Sequence, residues 1–94
     1  MNNRFEKRFL QNENLMTCHP RFENINQYIF DSRNDYALSV VDEYDIDGSK
    51  KGLYEIAKIR QGSVLDDPKR YLTVDEILEI VNKENEYGNV ETKR

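Results

Sequence analysis

The sequence predicts an α+β fold, with a small antiparallel sheet of about three strands and helices on one of its faces. Three observations support this class: a capped apolar stripe near the C-terminus, a central pair of apolar runs around a turn, and a short amphipathic segment at the start. A chain of 94 residues has the length of one domain. We predict that residues 1–87 form that domain and that residues 88–94 fray.

Composition narrows the classes of function. The chain is 37% hydrophobic and 34% charged, and its 6 Tyr and 4 Phe are typical of a packed core. Its net charge of −4 lacks the positive footprint usual in DNA-binding domains. No apolar run approaches the roughly 20 residues of a membrane span, so we expect no membrane association. A single cysteine fits a reducing compartment, and we predict a cytoplasmic protein.

The clearest element is a helix predicted over residues 74–86. Thr73 and Glu76 have the spacing of a capping box, in which each side chain bonds the other residue's backbone N–H. An apolar stripe with helical spacing follows, made of Val74, Ile77, Leu78 and Val81. Gly88 offers a C-terminal stop.

A hairpin is predicted in the middle of the chain. Residues 36–46 alternate apolar and polar, whereas residues 53–60 are apolar on both sides, as in an interior strand. The predicted register has three cross-strand pairs: Ile46 with Tyr54, Tyr44 with Ile56, and Asp42 with Lys58. The last pair sets an acid opposite a base.

A short helix is predicted near the N-terminus. Asn3 and Glu6 have capping-box spacing, and Phe5 and Phe9 lie four residues apart on one face. Because that apolar face is thin, it would permit dimerisation through the two phenylalanines.

Residues 20–30 support two interpretations. Phe22, Ile25 and Ile29 have helical spacing, while Tyr28 and Phe30 alternate as in a strand. We favour a helical start that ends in a short strand at 28–30. Within this interpretation, the Cys18-His19-Pro20 motif is a turn that leads into the helix, with Thr17 as its cap, rather than a catalytic or zinc-binding pair.

The stretch YDIDGSKKG at 44–52 partly matches the pattern of a calcium-binding loop. Gly48 at the sixth position puts acids at the first, third and fifth. The twelfth position is then Tyr54 instead of glutamate, and two lysines would repel the ion. We therefore predict a hairpin turn and no metal site.

Other chemical motifs are weak. Asp66 and Asp67 precede Pro68 in a predicted solvated loop, and a small hydrolase or transferase would need a pocket around these acids or His19. The four glycines have no phosphate-loop spacing. We predict no catalytic residue and no cofactor.

An acidic cluster on the hairpin is the leading functional candidate. Acids beside a tyrosine can dock on a basic surface of another protein. The predicted protein-binding residues are Asp42, Glu43, Tyr44, Asp45 and Asp47.

A basic and aromatic set is the alternative candidate, for nucleic-acid binding. Lysine and arginine side chains hold phosphates, and an aromatic ring stacks on a base. The predicted residues are Lys58, Arg60, Lys69, Arg70 and Tyr71.

The segments YALSVVDEYDIDGSKKGLYEIAKI and YLTVDEILEIVNK, within residues 36–83, resemble small uncharacterised accessory proteins of bacteriophages and prophages. The resemblance implies a protein of the host-cell cytoplasm that modulates or inhibits a host or defence complex, such as a nuclease complex. It transfers no functional residue. The short stretch between the last strand and the helix implies that a strand of those relatives is missing here.

Overall fold

The computed structural model of this chain describes residues 5–22, 25–44 and 50–86. The fold is α+β with an antiparallel sheet, as predicted, but the described sheet has six strands instead of about three. In chain order the elements are α1 (Lys7–Leu10), β1 (Leu15–Phe22), β2 (Ile25–Phe30), β3 (Ala37–Tyr44), β4 (Lys50–Arg60), β5 (Ser63–Val64), β6 (Lys69–Leu72) and α2 (Val74–Lys83).

The sheet follows the order β1-β2-β3-β4-β5, and β6 pairs with another part of β4. Gln61 and Gly62 connect β4 to β5 with φ angles of 52° and 83°, the left-handed backbone that two-residue hairpins require. We predicted a solvated loop without a strand between the hairpin and α2. That part of the chain instead supplies two strands, β5 and β6. Both are short because each covers only one part of the edge of β4.

Local signals predicted the start of α2 correctly. The backbone N–H of Glu76 donates to Thr73 Oγ1 at 3.1 Å, and the N–H of Thr73 donates to Glu76 Oε1 at 2.8 Å, which confirms the capping box. The helix ends at Lys83, short of the predicted residue 86, and residues 87–94 lie outside the described residues. The predicted N-terminal helix has only four residues, and its N-cap is Glu6; Asn3 lies outside the described residues.

The prediction of a helix after residue 20 was wrong. Residues of β2 alternate in burial, with Asn26, Tyr28 and Phe30 buried and the residues between them half-buried. Cys18, His19 and Pro20 lie inside β1 and do not form a turn, so Thr17 is no helix cap. Proline is tolerated there because β1 is an edge strand, where a missing backbone N–H need not break a ladder.

The hairpin of β3 and β4 is confirmed, but its predicted register was wrong. Asp42 lies opposite Tyr54 instead of Lys58, which displaces the pairing by four residues along β4 (from 58 to 54). Because the displacement is an even number of residues, the paired residues from Ala37 to Asp42 stay on their predicted faces. Gly52 has a φ of 74° close to the register shift near the turn, where β4 holds more residues than β3.

The core lies between one face of the sheet and both helices. Its fully or nearly buried apolar members are Phe9, Tyr28, Phe30, Leu38, Val40, Tyr54, Ile56, Ile77 and Val81. The ring of Phe9 lies 4.7 Å from that of Tyr28 and 4.9 Å from that of Tyr54. Because Phe9 is fully buried within its own chain, it is not available for the dimerisation that the sequence would permit.

Within the described residues, no helix is long and apolar enough to cross a membrane.

Candidate functional site

The first predicted protein-binding residue, Asp42, is buried in the sheet. Its side chain lies on the helix-facing side of β3, and the residue is 5% exposed. Its Oδ2 accepts a hydrogen bond of 2.8 Å from the backbone N–H of Asn26 on the neighbouring strand. Asp42 therefore belongs to the interior and is not available for docking, which corrects its predicted role.

Glu43 is also buried, at 3% exposure, and it contacts a residue of the predicted basic patch. Arg70 Nε donates to Glu43 Oε2 at 2.8 Å, and Arg70 Nη2 donates to Glu43 Oε1 at 3.4 Å. Glu55 lies 3.8 Å from the same Nε. The hydrogen bond to Glu43 raises the pKa of Arg70. The two predicted sites thus neutralise each other at this point.

The remaining members of the acidic cluster are only partly described. Tyr44 is the last residue of β3, and Asp45 and Asp47 lie outside the described residues. Their role in protein binding remains a prediction.

Other cations of the predicted nucleic-acid patch are also close to acids. Arg60 Nη1 lies 2.6 Å from Asp35 Oδ2, and Lys58 Nζ lies 3.7 Å from Asp66 Oδ2. Lys69 is exposed at the start of β6. These pairs leave little unbalanced positive charge for a phosphate backbone, so this arrangement does not favour the nucleic-acid alternative.

Tyr71 combines exposure with backbone strain. It has a φ of 61°, a left-handed conformation that is an outlier for a bulky residue, and the residue is 54% exposed. The guanidinium of Arg70 lies 5.4 Å from the centre of its ring. The bulge between β4 and β6 at this point sets Arg70 toward Glu43.

The side of the sheet opposite the helices forms a second surface, which we call the open face. Cross-strand pairing puts Ile29, Ser39 and Ala57 in one row, and Ala37, Ile59 and Val64 in the next. All but the exposed Val64 are half-buried, and both described helices pack on the other side. The residues at its centre, Ser39 and Ala57, have small side chains.

A chain of polar side chains crosses the open face. Gln27 Nε2 donates to Ser39 Oγ at 2.9 Å, so its Oε1 is turned toward His19 Nε2, also at 2.9 Å. His19 thus lies on the open face, whereas Cys18 is opposite Tyr28 on the core side. The two adjacent residues point to opposite faces, which excludes a Cys–His nucleophile pair between them.

A cleft of about 230 Å³ lies on the helix side, between β4, α2 and the β5–β6 connection. Its floor is apolar and its rim is charged. Leu38, Ile56 and Ile80 form its floor, and the rim carries Lys58, Asp66, Asp67, Lys69 and Glu84. The structure brings Asp66 and Asp67 together here, but His19 lies on the other side of the sheet.

Hydrogen bonds hold one wall of this cleft. Tyr36 Oη donates to Glu84 Oε1 at 2.8 Å, and Lys58 Nζ lies 5.1 Å from the centre of the Tyr36 ring. Burial and the bond to Glu84 raise the pKa of Tyr36. Burial alone would lower the pKa of Lys58, but Tyr36 and Glu84 outweigh it and raise that pKa.

Sequence reasoning missed both the open face and the cleft. The apolar pattern on both sides of residues 53–60 was the available signal for an uncovered apolar face. The cleft had no such signal, because its lining comes from β3, β4, β6, α2 and the β5–β6 connection. Comparison of the chain with protein-family models, curated proteins and solved structures gave no match.

Proposed function

We propose that this chain is a non-enzymatic binding protein that docks on a second protein through its open face. The supporting observation is that both described helices pack on one side of the sheet, while the row of Ile29, Ser39 and Ala57 stays half-exposed on the other. An apolar surface crossed by hydrogen-bonding side chains matches the make-up of protein interfaces.

The partner of this proposal has an apolar patch bordered by basic side chains. Two copies of a chain with net charge −4 repel each other, whereas a basic partner is attracted and steered. Binding along the free edge of β1 is less favourable, because Pro20 has no backbone N–H to offer an added strand and β1 has two register irregularities. Asp45 and Asp47 are proposed to assist the approach of the partner.

The resemblance to phage accessory proteins adds a biological setting to the proposal. In that setting, the partner is a host or defence protein complex, including complexes that handle nucleic acid, and binding modulates or inhibits it. Under this proposal the chain acts in the cytoplasm of the host cell.

The test first identifies the partner and then compares its binding to matched variants of this chain. Affinity capture from nuclease-treated lysate of the native cells, with mass spectrometry, supplies a partner to purify. Ser39→Arg and Ala57→Arg, at the centre of the open face, should each weaken its binding at least about tenfold. Gln11→Arg adds the same charge on the exposed end of α1 and should not.

Three results would count against the proposal. Equal binding by all three variants would remove the open face from the interface. Loss of binding only in Gln11→Arg would move the interface to the helix side. A dimer of the wild-type chain by light scattering, abolished by Ser39→Arg, would make a second copy the occupant.

A further inference from the structure

The cleft beside α2 has two kinds of charged side chain on its rim. Lys58 and Glu84 are engaged, Lys58 with Asp66 at 3.7 Å and Glu84 with Tyr36 at 2.8 Å. Asn34 Nδ2 also donates to Glu84 Oε1 at 3.0 Å. These groups form a structural wall.

Lys69 and Asp67 differ from that wall. Both line the cleft, and neither side chain makes a hydrogen bond or an ion pair with the part of the chain that the structure describes. One ammonium group and one carboxylate of the rim are therefore open to a ligand. They flank Pro68 in the chain, so the intervening ring restricts the backbone that carries them.

The floor of the cleft supplies an apolar surface. Leu38 and Ile56 come from the sheet, and Ile80 comes from α2. The volume of about 230 Å³ exceeds the roughly 150 Å³ of an engineered cavity that holds benzene. A molecule of the size of an amino acid fits this space.

Charge selects among small ligands. A simple anion would meet three carboxylates of the lining, from Asp66, Asp67 and Glu84, and a simple cation would meet two ammonium groups. A zwitterion presents the opposite sign to each open group, and charge-assisted hydrogen bonds are the stronger kind.

We infer that this cleft binds a small zwitterion with an apolar side chain, of the class of the free aliphatic α-amino acids. The ligand's carboxylate pairs with Lys69 and its ammonium group pairs with Asp67. Its side chain covers Leu38, Ile56 and Ile80. This site lies on the helix side of the sheet, so it does not depend on the open face proposed for the protein partner.

The experiment is an NMR titration of the full ¹⁵N-labelled chain with leucine and two analogues. Isoamylamine lacks the carboxylate of leucine, and 4-methylpentanoate lacks its ammonium group. Leucine should bind in the millimolar range or tighter and shift the amide signals of Ile56, Lys69 and Ile80. Each analogue should bind at least about tenfold more weakly, because one charged contact is lost.

Substitutions test whether Lys69 and Asp67 make the proposed contacts with leucine. Lys69→Met and Asp67→Asn should each weaken leucine binding at least about tenfold. Lys7→Met and Glu79→Gln make matched changes on exposed helical residues away from the cleft and should leave it unchanged. The spectrum of each variant also reports whether it is folded.

Several outcomes would overturn the inference. One is the absence of shifts with leucine at tens of millimolar. A second is equal binding of leucine and either analogue, since recognition would then not need both charges. A third is a set of shifts confined to the open face.

Discussion

Arg70 on β6 donates a hydrogen bond of 2.8 Å to Glu43 on β3, although 27 residues separate them in the chain. The pair spans β4, which lies between those two strands in the sheet. Each residue belonged to a different predicted binding site, one acidic and one basic. Their pairing turns two predicted surface charges into a structural contact.

We expect Arg70→Met to lower the urea midpoint of unfolding. The substitution leaves the buried Glu43 carboxylate without its cation, and an unpaired buried acceptor of this kind costs about 1–3 kcal/mol. The double variant Glu43→Gln with Arg70→Met should lose less stability than Arg70→Met alone, because a neutral amide needs no cation. Equilibrium urea unfolding measures both.

Arg60→Met is the matched control for this pair. Its partner, Asp35, is largely exposed, so the loss of that ion pair should hardly change the midpoint. Equal destabilisation by the two methionine substitutions would show that burial of Glu43 is not the source of the effect.

The strained backbone of Tyr71 predicts an unusual order of stability. Glycine normally destabilises a strand relative to alanine, but at a φ of 61° only glycine avoids the steric cost of Cβ. Tyr71→Gly should therefore be more stable than Tyr71→Ala by about 1 kcal/mol. Thermal and urea unfolding of the two variants test this order, and the reverse order would exclude strain at this position.

The capping box predicts the cost of losing the Thr73 hydroxyl. Thr73→Ala removes the acceptor of the Glu76 N–H bond and should lower the free energy of unfolding by about 1 kcal/mol. Thr73→Ser keeps the hydroxyl and should retain most of that stability. If the serine variant lost as much as the alanine variant, the methyl group of Thr73 would be responsible instead.

Because Tyr28 and Tyr54 are buried, we expect the protein to lose stability at alkaline pH. Burial, followed by the negative charge of Asp42, raises the pKa of Tyr54 above its ordinary value of about 10. At pH values between the ordinary tyrosine pKa and the raised pKa of the folded state, the folded state keeps a proton that the unfolded state has lost. The free energy of unfolding then decreases with rising pH, by about 1.4 kcal/mol per pH unit for one such group.

Tyr54→Phe should make the free energy of unfolding fall less steeply with pH, because the contribution of one tyrosine is removed. Urea unfolding at several pH values above roughly 9 measures the slope. Tyr28→Phe should flatten it too, since burial also raises the pKa of Tyr28, but it should lower stability at every pH because Tyr28 Oη accepts from the Glu6 N–H at 2.7 Å. A Tyr54→Phe slope equal to that of the wild type would contradict the argument.

Local patterns of the sequence predicted the elements whose signals lie within a few residues. The capping box at Thr73 and the stripe that follows it defined the start of α2, because helix hydrogen bonds connect near neighbours. The alternation in residues 36–44 likewise predicted β3 and its two faces. The segment 20–30 carried both periodicities, and only pairing with β3 decided that it is a strand.

The sequence by itself therefore determined the α+β class, the central hairpin, the beginning of the last helix and the faces of residues 37–43 and 53–60 in the hairpin. Tertiary structure alone decided the hairpin register, the burial of Asp42 and Glu43, the two strands that pair with β4, and the cleft between β4 and α2. The physical reason is the range of the interactions. Capping and periodicity act within one or two turns of chain, whereas a strand register or a buried ion pair depends on which distant segments meet.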